Sequence, residues 1–247
     1  MVGPKSTRAG LRERLGAGGR VVGTLVKLPS DEVVDVLDEA GFDFVMVDLE
    51  HSQLPEGEAL RLIRHAFALG LPAVARIAEV DRRLVNRLLE AGAQGIQLST
   101  IVRAGQVREL VACSRYAPNG RRSVSLNHPV ARYGAVPLTE AVTRPPALLI
   151  GQIETAATED PVADIVRAGL DVLFVGTVDM AVDLGFDQGR LGSRIAELRG
   201  VAEDAEISFG AYAGSPDSLP DGVRYAVLGA DLALLRDAAT RLAADAR

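Results

Sequence analysis

The sequence predicts an α/β protein that folds as a single (β/α)8 barrel, also called a TIM barrel. Its 247 residues are close to the roughly 250 residues of a typical barrel of this kind. Short apolar runs alternate with helical stretches along the chain, which indicates parallel strands joined by right-handed helical crossovers. Eight such runs predict a closed barrel rather than an open sheet: 21–26, 43–48, 72–76, 94–98, 147–153, 171–176, 207–212 and 224–228.

The stretches between these runs carry helix signals, and several of them end at a glycine, the residue that most often follows the last turn of a helix. Ser30 is predicted to cap the first crossover helix, because acidic residues follow it in the first turn and Gly41 ends the pattern. The other predicted helices are a short one that ends at Gly16 or Gly18 after a lead-in, then 56–69, 81–91, 159–168 and the amphipathic tail 231–247.

Two stretches break this alternation. Residues 113–146 connect the fourth and fifth apolar runs, and long connections of this kind usually serve as lids or interface segments. Residues 183–193 are predicted to form a second, glycine-rich loop. Because no linker-like segment divides the chain, residues 1–247 are predicted to form one domain.

Charge and composition argue against a nucleic-acid partner, a membrane-spanning helix, a signal peptide and an internal disulfide. The net charge of −6 argues against a nucleic acid held through its phosphates. No run of 18 apolar residues occurs, so no membrane-spanning helix is expected. The basic start of the chain is not followed by an apolar segment, so no signal peptide is expected. The single cysteine, Cys113, excludes an internal disulfide and is consistent with a reducing cytoplasm.

Charged residues stand at the ends of four apolar runs, where barrel enzymes carry their chemistry. Glu154 and Asp179 end consecutive runs, and neighbouring strands lie about 4.8 Å apart. Their carboxylates could therefore share a hard divalent ion such as Mg2+ or Mn2+. Alternatively, they are solvated acids at loop edges or caps of helices.

A histidine and an arginine stand at two further strand ends. His51 follows Asp48 and Glu50 and could act as a general base, or it could be a surface or helix-capping histidine. Arg76 could bind a carboxylate or a developing oxyanion. Its alternative role is a salt bridge at the barrel rim, to Asp48 or Glu50.

Six motifs occur in the same order as in a known family. They are Gly23-Thr24, Asp48-x-Glu50-His51, Arg76, Arg115-Tyr116-x-Pro118-x-Gly120-Arg121-Arg122, Gln152-Ile153-Glu154 and Gly176-x-x-Asp179-Met180. With them the chain resembles the HpcH/HpaI family of metal-dependent class II pyruvate aldolases, from Gly23 to about Asp231. No single motif is decisive, and the assignment depends on their order.

The resemblance implies a role for each matching residue. Glu154 and Asp179 would hold the divalent metal, Mg2+ or Mn2+ with Co2+ also possible. His51 would be the acid/base group, with Glu90 as its acidic partner. The residues that would contact the substrate are Arg76, Gln152, Val178 and Asp179.

The sequence also departs from the family pattern. Thr177-Val178 follows Gly176 where many members have proline and a small residue, and the fourth run ends in Ser99-Thr100 where Val-Pro is common. The family stretch Arg-Tyr-Pro-Pro-Gly reads Arg-Tyr-Ala117-Pro118-Asn119-Gly120 in this chain, and Ser123 stands where a glycine usually follows the arginines. We therefore expect the family chemistry to be kept and the pocket for the second substrate to differ.

The function implied is a carbon–carbon lyase that forms or cleaves 4-hydroxy-2-oxo acids through a metal-bound pyruvate enolate. One alternative is an enzyme that decarboxylates oxaloacetate or condenses it with an acyl thioester, as in citrate synthesis. A third is a barrel that binds a keto acid without turnover. The expected partners are accordingly a small keto acid and an aldehyde, or oxaloacetate and an acyl thioester.

The resemblance further implies a homo-oligomer, with a hexamer as the common form and the C-terminal helix exchanged between subunits. The apolar residues of the tail suit such packing: Leu232, Leu235, Ala239 and Leu242. The alternative is a helix folded back on its own barrel. In this family the loop after the fourth strand lies near a neighbouring subunit's site, so Arg121 or Arg122 could contact an acidic aldehyde there.

Overall fold

A computed structural model describes residues 9–246 as one closed barrel of eight parallel strands, in which each strand pairs with its neighbours in chain order and β8 pairs with β1. The predicted (β/α)8 fold is confirmed. The strands are β1 Val21–Val26, β2 Phe44–Asp48, β3 Ala73–Ile77, β4 Gly95–Leu98, β5 Leu148–Ile153, β6 Val172–Val175, β7 Ser208–Ala213 and β8 Tyr225–Ala230. The lead-in of residues 1–8 and residue 247 lie outside the described part, so a single domain over 1–247 stays a prediction.

Helices cover the outside of the barrel. They are α1 Leu11–Gly16, α2 Asp31–Glu39, α3 Glu56–Leu69, α4 Arg82–Ala91, α5 Ala104–Ser114, α6 Leu138–Thr143, α7 Val162–Arg167, α8 Thr177–Asp183, α9 Gln188–Asp204 and α10 Asp231–Asp245. The predicted helix 56–69 matches α3, while α7 is shorter than the predicted 159–168.

The prediction of a glycine-rich loop over 183–193 is wrong for most of its length. α9 already begins at Gln188, because the Asp187 side chain caps it by accepting a hydrogen bond from the Arg190 amide at 3.0 Å. The glycines at 189 and 192 favour a loop, but helix capping and the buried face of α9 outweigh their low helix propensity.

Three aromatic side chains pack together among the aliphatic residues of the barrel interior. Phe44 stacks on Tyr225 with ring centroids 4.8 Å apart, and Phe174 meets Tyr225 edge-on at 6.0 Å. Gly23 gives the Phe44 ring its space, since a Cβ there would lie 2.5 Å from the ring carbons. A second apolar layer lies between the strands and the surrounding helices.

The amino-terminal end of the barrel is closed by α1. Leu11 and Leu15 are buried in the interior cluster, and Arg12 forms a double hydrogen bond with Asp171 at 2.7 and 2.6 Å. The opposite end, where the strands finish, is therefore the mouth at which site residues can meet solvent. Among residues 9–246, no helix is long and apolar enough to cross a membrane.

We expect Gly23→Ala to lower the free energy of unfolding by about 1–3 kcal/mol, the usual cost of overpacking a core, because the new methyl group would collide with Phe44. Gly200 in α9 has no heavy atom within 4 Å of an added Cβ. Gly200→Ala should therefore stabilise the chain by roughly 0.5–1 kcal/mol. Denaturant unfolding measures the free energy of unfolding of both variants. Equal changes in the two would contradict the role of Gly23 in making room for the Phe44 ring.

Candidate active site

A buried ion pair joins β2 and β3 at the mouth. Asp48 and Arg76 are direct neighbours in the strand register, and both side chains point into the barrel. Arg76 donates from Nε to Asp48 Oδ1 at 2.9 Å and from Nη2 to Oδ2 at 2.6 Å. Asp48 is 0 % exposed and Arg76 is 8 % exposed. The rim salt bridge, one of the two roles open to Arg76, is thus formed.

Asp48 also organises the loop that follows β2. Its Oδ1 accepts hydrogen bonds from the amides of Glu50 and His51 at 3.1 Å each, and Lys27 Nζ lies 3.3 Å from Oδ2. Burial alone would raise the pKa of Asp48, but the hydrogen bonds and charge of Arg76, the His51 amide and Lys27 outweigh it, so the pKa is lowered.

Arg76 faces acidic groups on more than one side. Its Nε lies 3.4 Å from Glu50 Oε2. Burial would lower the pKa of Arg76, but Asp48, Glu50 and Glu154 together raise it. Within residues 9–246, the hydrogen bonds of Arg76 come from Nε and Nη2, so Asp48 fixes the guanidinium through two of its three nitrogens.

Glu154 follows β5, two strands along the barrel from β3, and is only 6 % exposed. Gln152 Nε2 donates to its Oε2, and Thr100 Oγ1 donates to its Oε1. Gln97 Nε2 in turn donates to Gln152 Oε1 at 2.6 Å. A relay of buried side chains from β4 and β5 therefore holds this carboxylate in place.

The predicted second ligand, Asp179, lies in the first turn of α8 and is exposed. α8 starts directly after Gly176, where a Cβ would lie 2.6 Å from Glu154 Oε2. The other end of α8 is tied to the loop after Glu154, since the Ala156 amide donates to Asp183 Oδ2 at 2.6 Å. The fold thus brings the helix that carries Asp179, and with it Val178, against Glu154.

These residues fit a hard divalent cation. No group of three or more metal-ligating side chains occurs in the described part of the chain. Two carboxylates with open positions suit an ion such as Mg2+, which keeps waters or substrate oxygens in its shell. The glycine at 176 provides the space at Glu154 Oε2 that a side chain would fill.

The structure does not bring His51 and Glu90 together within one chain. His51 lies exposed on the loop after β2, with Nε2 3.7 Å from Glu50 Oε2. Glu90 on α4 instead accepts a hydrogen bond from Asn86 Nδ2 at 3.0 Å. Their predicted pairing came from the family resemblance, and in this chain Glu50 is the acidic neighbour of the imidazole.

Lys27, Gln97 and Thr100 also belong to the site, although the sequence pattern predicts no role for them there. Lys27 Nζ donates to the His51 carbonyl at 3.0 Å. The amides of Lys27 and Leu28 both donate to Asp231 Oδ2 at 2.8 Å, and Asp231 is the first residue of α10. The sequence signal for these three residues is their position, since each is a polar residue at or near the carboxyl end of β1 or β4.

If Arg76 binds substrate, its guanidinium must be held in place by its buried partner, Asp48. Asp48→Asn would leave a desolvated cation without its carboxylate, and we expect a loss of about 3–5 kcal/mol in the free energy of unfolding at pH 7. The pKa of Asp48 is lower in the folded chain than its ordinary value of 3.8. The ion pair therefore stabilises above that pH, and this stabilisation is lost as the pH falls through the folded-state pKa.

The difference between wild type and Asp48→Asn should accordingly shrink in acid, as measured by urea unfolding from pH 7 to pH 3. Glu159→Gln is the matched control, because it removes a carboxylate from an exposed ion pair with Arg103, where little change is expected. A wild-type-like Asp48→Asn variant at pH 7 would contradict the importance of the pair.

Comparisons with known proteins identify the family of the chain. A family model described as HpcH/HpaI aldolase/citrate lyase matches residues 23–208. The chain is 28 % identical over 233 residues to a hydroxypyruvate/pyruvate aldolase of Rhizorhabdus wittichii, a match that covers 90 % of this chain and 92 % of that protein.

Solved structures give the same result. The crystal structure of an HpcH/HpaI aldolase from Desulfitobacterium hafniense has a TM-score of 0.88 and 25 % identity, and the match covers 96 % of both chains. That of the citrate synthase SbnG has a TM-score of 0.83 and 26 % identity, covering 96 % of this chain and 97 % of the other. The predicted enzyme class, an aldolase or related lyase, is thereby confirmed, and the chain belongs to the HpcH/HpaI aldolase/citrate lyase family.

Proposed function

We propose that the chain is a divalent-metal-dependent aldolase that reversibly cleaves a 4-hydroxy-2-oxo acid into pyruvate, or a close relative of pyruvate, and an aldehyde. The observation that carries this proposal is the mouth itself: a buried, doubly hydrogen-bonded Glu154 whose charge acts on Arg76. The similarity to a hydroxypyruvate/pyruvate aldolase supports the choice of pyruvate, or a close relative, as the substrate that supplies the carbon nucleophile.

Glu154 and Asp179 would hold the metal, with Mg2+ or Mn2+ preferred by the oxygen ligands and Co2+ also possible. When bound, the ion would supply Lewis-acid stabilisation of the charge that develops on the keto oxygen. Gln152 orients Glu154 through its hydrogen bond to Oε2. The backbone at Val178 and Asp179, in the first turn of α8, would bind the substrate carboxylate.

Arg76 would bind the keto oxygen through Nη1. Because Asp48 fixes the other side of the guanidinium, the charge is oriented before the substrate arrives and needs no reorganisation as the oxygen becomes negative. Its pKa is raised by its acidic neighbours, so the group remains cationic throughout.

His51 would move the proton of the reacting hydroxyl. In the cleavage direction the C4 hydroxyl loses its proton, the C3–C4 bond breaks, and its electron pair stays with the pyruvate fragment. An exposed imidazole on the rim, 3.7 Å from Glu50, can accept this proton directly or through a water and exchange it with solvent. Glu90 is assigned no step, since it does not contact His51 in this chain.

A second candidate function uses oxaloacetate, by decarboxylation or by condensation with an acyl thioester. The structural similarity to the citrate synthase SbnG favours keeping it. The same mouth serves both, because each reaction develops charge on the oxygen of a 2-oxo acid. A keto-acid-binding barrel without turnover is disfavoured, since binding alone needs no acid/base group such as His51.

A homo-oligomer, possible hexamer formation and a cytoplasmic location stay predictions. Within the described protomer Leu235 is 62 % and Leu242 is 74 % exposed, so this part of α10 is not folded back onto its own barrel. These exposed side chains support the proposal that α10 packs against a second subunit.

The proposed function predicts metal-dependent exchange of the pyruvate methyl protons. With Mg2+ or Mn2+ in D2O, the methyl signal should decay by NMR, and EDTA should stop the decay. Glu154→Gln should abolish the exchange because it removes a charged ligand. Glu159→Gln, which changes an exposed glutamate, should leave it intact, and exchange at the wild-type rate in Glu154→Gln would remove Glu154 from the proposed site.

The second candidate is separated by its substrate. An aldolase should consume pyruvate with an aldehyde panel and should not require a thioester. An enzyme of the second kind should consume oxaloacetate, and acetyl-CoA should change the product from pyruvate to citrate. Product analysis by chromatography checks both, and rapid oxaloacetate loss without any aldol product would overturn the aldolase assignment.

A further inference from the structure

Thr100 has an unusual backbone conformation beside the proposed metal ligand. Its φ is 48°, in the left-handed region that β-branched residues rarely adopt. Such conformations persist only where the surroundings over-determine them, and they concentrate at functional sites. Thr100 lies two residues after the end of β4, directly at the mouth.

Three hydrogen bonds fix the backbone at this residue and directly after it. The Ile101 amide donates to the Gln152 carbonyl at 2.9 Å, which ties the turn to β5. The Gln106 side chain donates from Nε2 to the Thr100 carbonyl at 3.2 Å, while its Oε1 accepts from the Val102 amide at 2.9 Å. The first turn of α5 thus clamps the segment in its strained form.

The clamp has one consequence for the site. It presents the Thr100 hydroxyl to Glu154 Oε1, while Gln152 donates to Oε2. Each carboxylate oxygen has two lone pairs, so both hydrogen bonds together leave a lone pair free on each oxygen. A carboxylate held at both oxygens cannot rotate about its terminal bond without breaking a hydrogen bond.

We propose that Thr100 is a positioning residue that orients the free lone pairs of Glu154 toward the divalent cation. The proposal rests on the proposed function, in which Glu154 is a metal ligand. In this proposal the Thr100 hydroxyl acts through its hydrogen bond to Glu154 and is assigned no contact with the substrate. Outer hydrogen-bond partners of this kind typically contribute 10–100-fold to metal affinity or activity.

Three variants separate the hydroxyl from the backbone. Thr100→Val keeps the shape and the β-branching, and therefore the backbone strain, but loses the donor. Thr100→Ser keeps the donor. Thr100→Gly loses the donor and also relieves the positive φ, because glycine adopts this region without steric cost.

The experiment measures Mn2+ binding to the intact chain without substrate, by calorimetry and by the EPR signal of free Mn2+. Thr100→Val should weaken binding by roughly 10–100-fold, and Thr100→Ser should retain most of the affinity. Thr100→Gly should also bind weakly, yet its melting temperature should equal or exceed that of wild type. In pyruvate exchange, saturating Mn2+ should restore most of the rate of Thr100→Val.

The contrary outcomes are distinct. Wild-type affinity in Thr100→Val, or equal losses in the valine and serine variants, would overturn the role of the hydroxyl while leaving the proposed function in place. A wild-type chain that binds no Mn2+ would overturn both. If pyruvate exchange by Thr100→Val stays slow at saturating Mn2+, Thr100 acts on the chemical step and not through the binding of Mn2+ by Glu154, and the proposal is overturned.

Discussion

The ion pair between Asp48 and Arg76 is the constraint on which the mouth depends. A carboxylate with no exposure and a nearly buried guanidinium are costly to desolvate, and only their double hydrogen bond makes this burial tolerable. The same carboxylate receives the amides of Glu50 and His51. Asp48 therefore fixes the guanidinium of Arg76 and also shapes the loop that carries the His51 imidazole.

The other half of the mouth is held by neutral hydrogen bonds. Gln152 and Thr100 donate to Glu154, and Gln97 donates to Gln152. None of these three neutral side chains compensates the charge of Glu154. The negative charge of Glu154 thus remains available to a metal ion, whereas the charge of Asp48 is already neutralised by Arg76. Two carboxylates at one opening have different tasks because their immediate donors differ, one being charged and the others neutral.

The sequence predicts the fold well because barrel strands and helix ends have strong local signals. Every strand lies within two residues of its predicted range, and glycines such as Gly70 and Gly92 end helices in the left-handed conformation. α9 is not among the predicted helices, because glycines typical of a loop stand in its first turns, where the capping Asp187 nevertheless starts a helix. At the site, strand ends identified Arg76 and Glu154, but only coordinates show that Thr100 reaches Glu154, because that contact depends on one backbone angle.

The hydrogen bonds from the amides of Lys27 and Leu28 to Asp231 have a consequence for biosynthesis. They join the loop after the first strand to a residue more than 200 positions later, just beyond the strand that closes the barrel against β1. As the polypeptide leaves the ribosome, the early strands and helices can form in order, but the loop bearing Lys27 acquires its anchor only when residue 231 has emerged. Nascent chains that are shorter than this hold an unfinished catalytic opening.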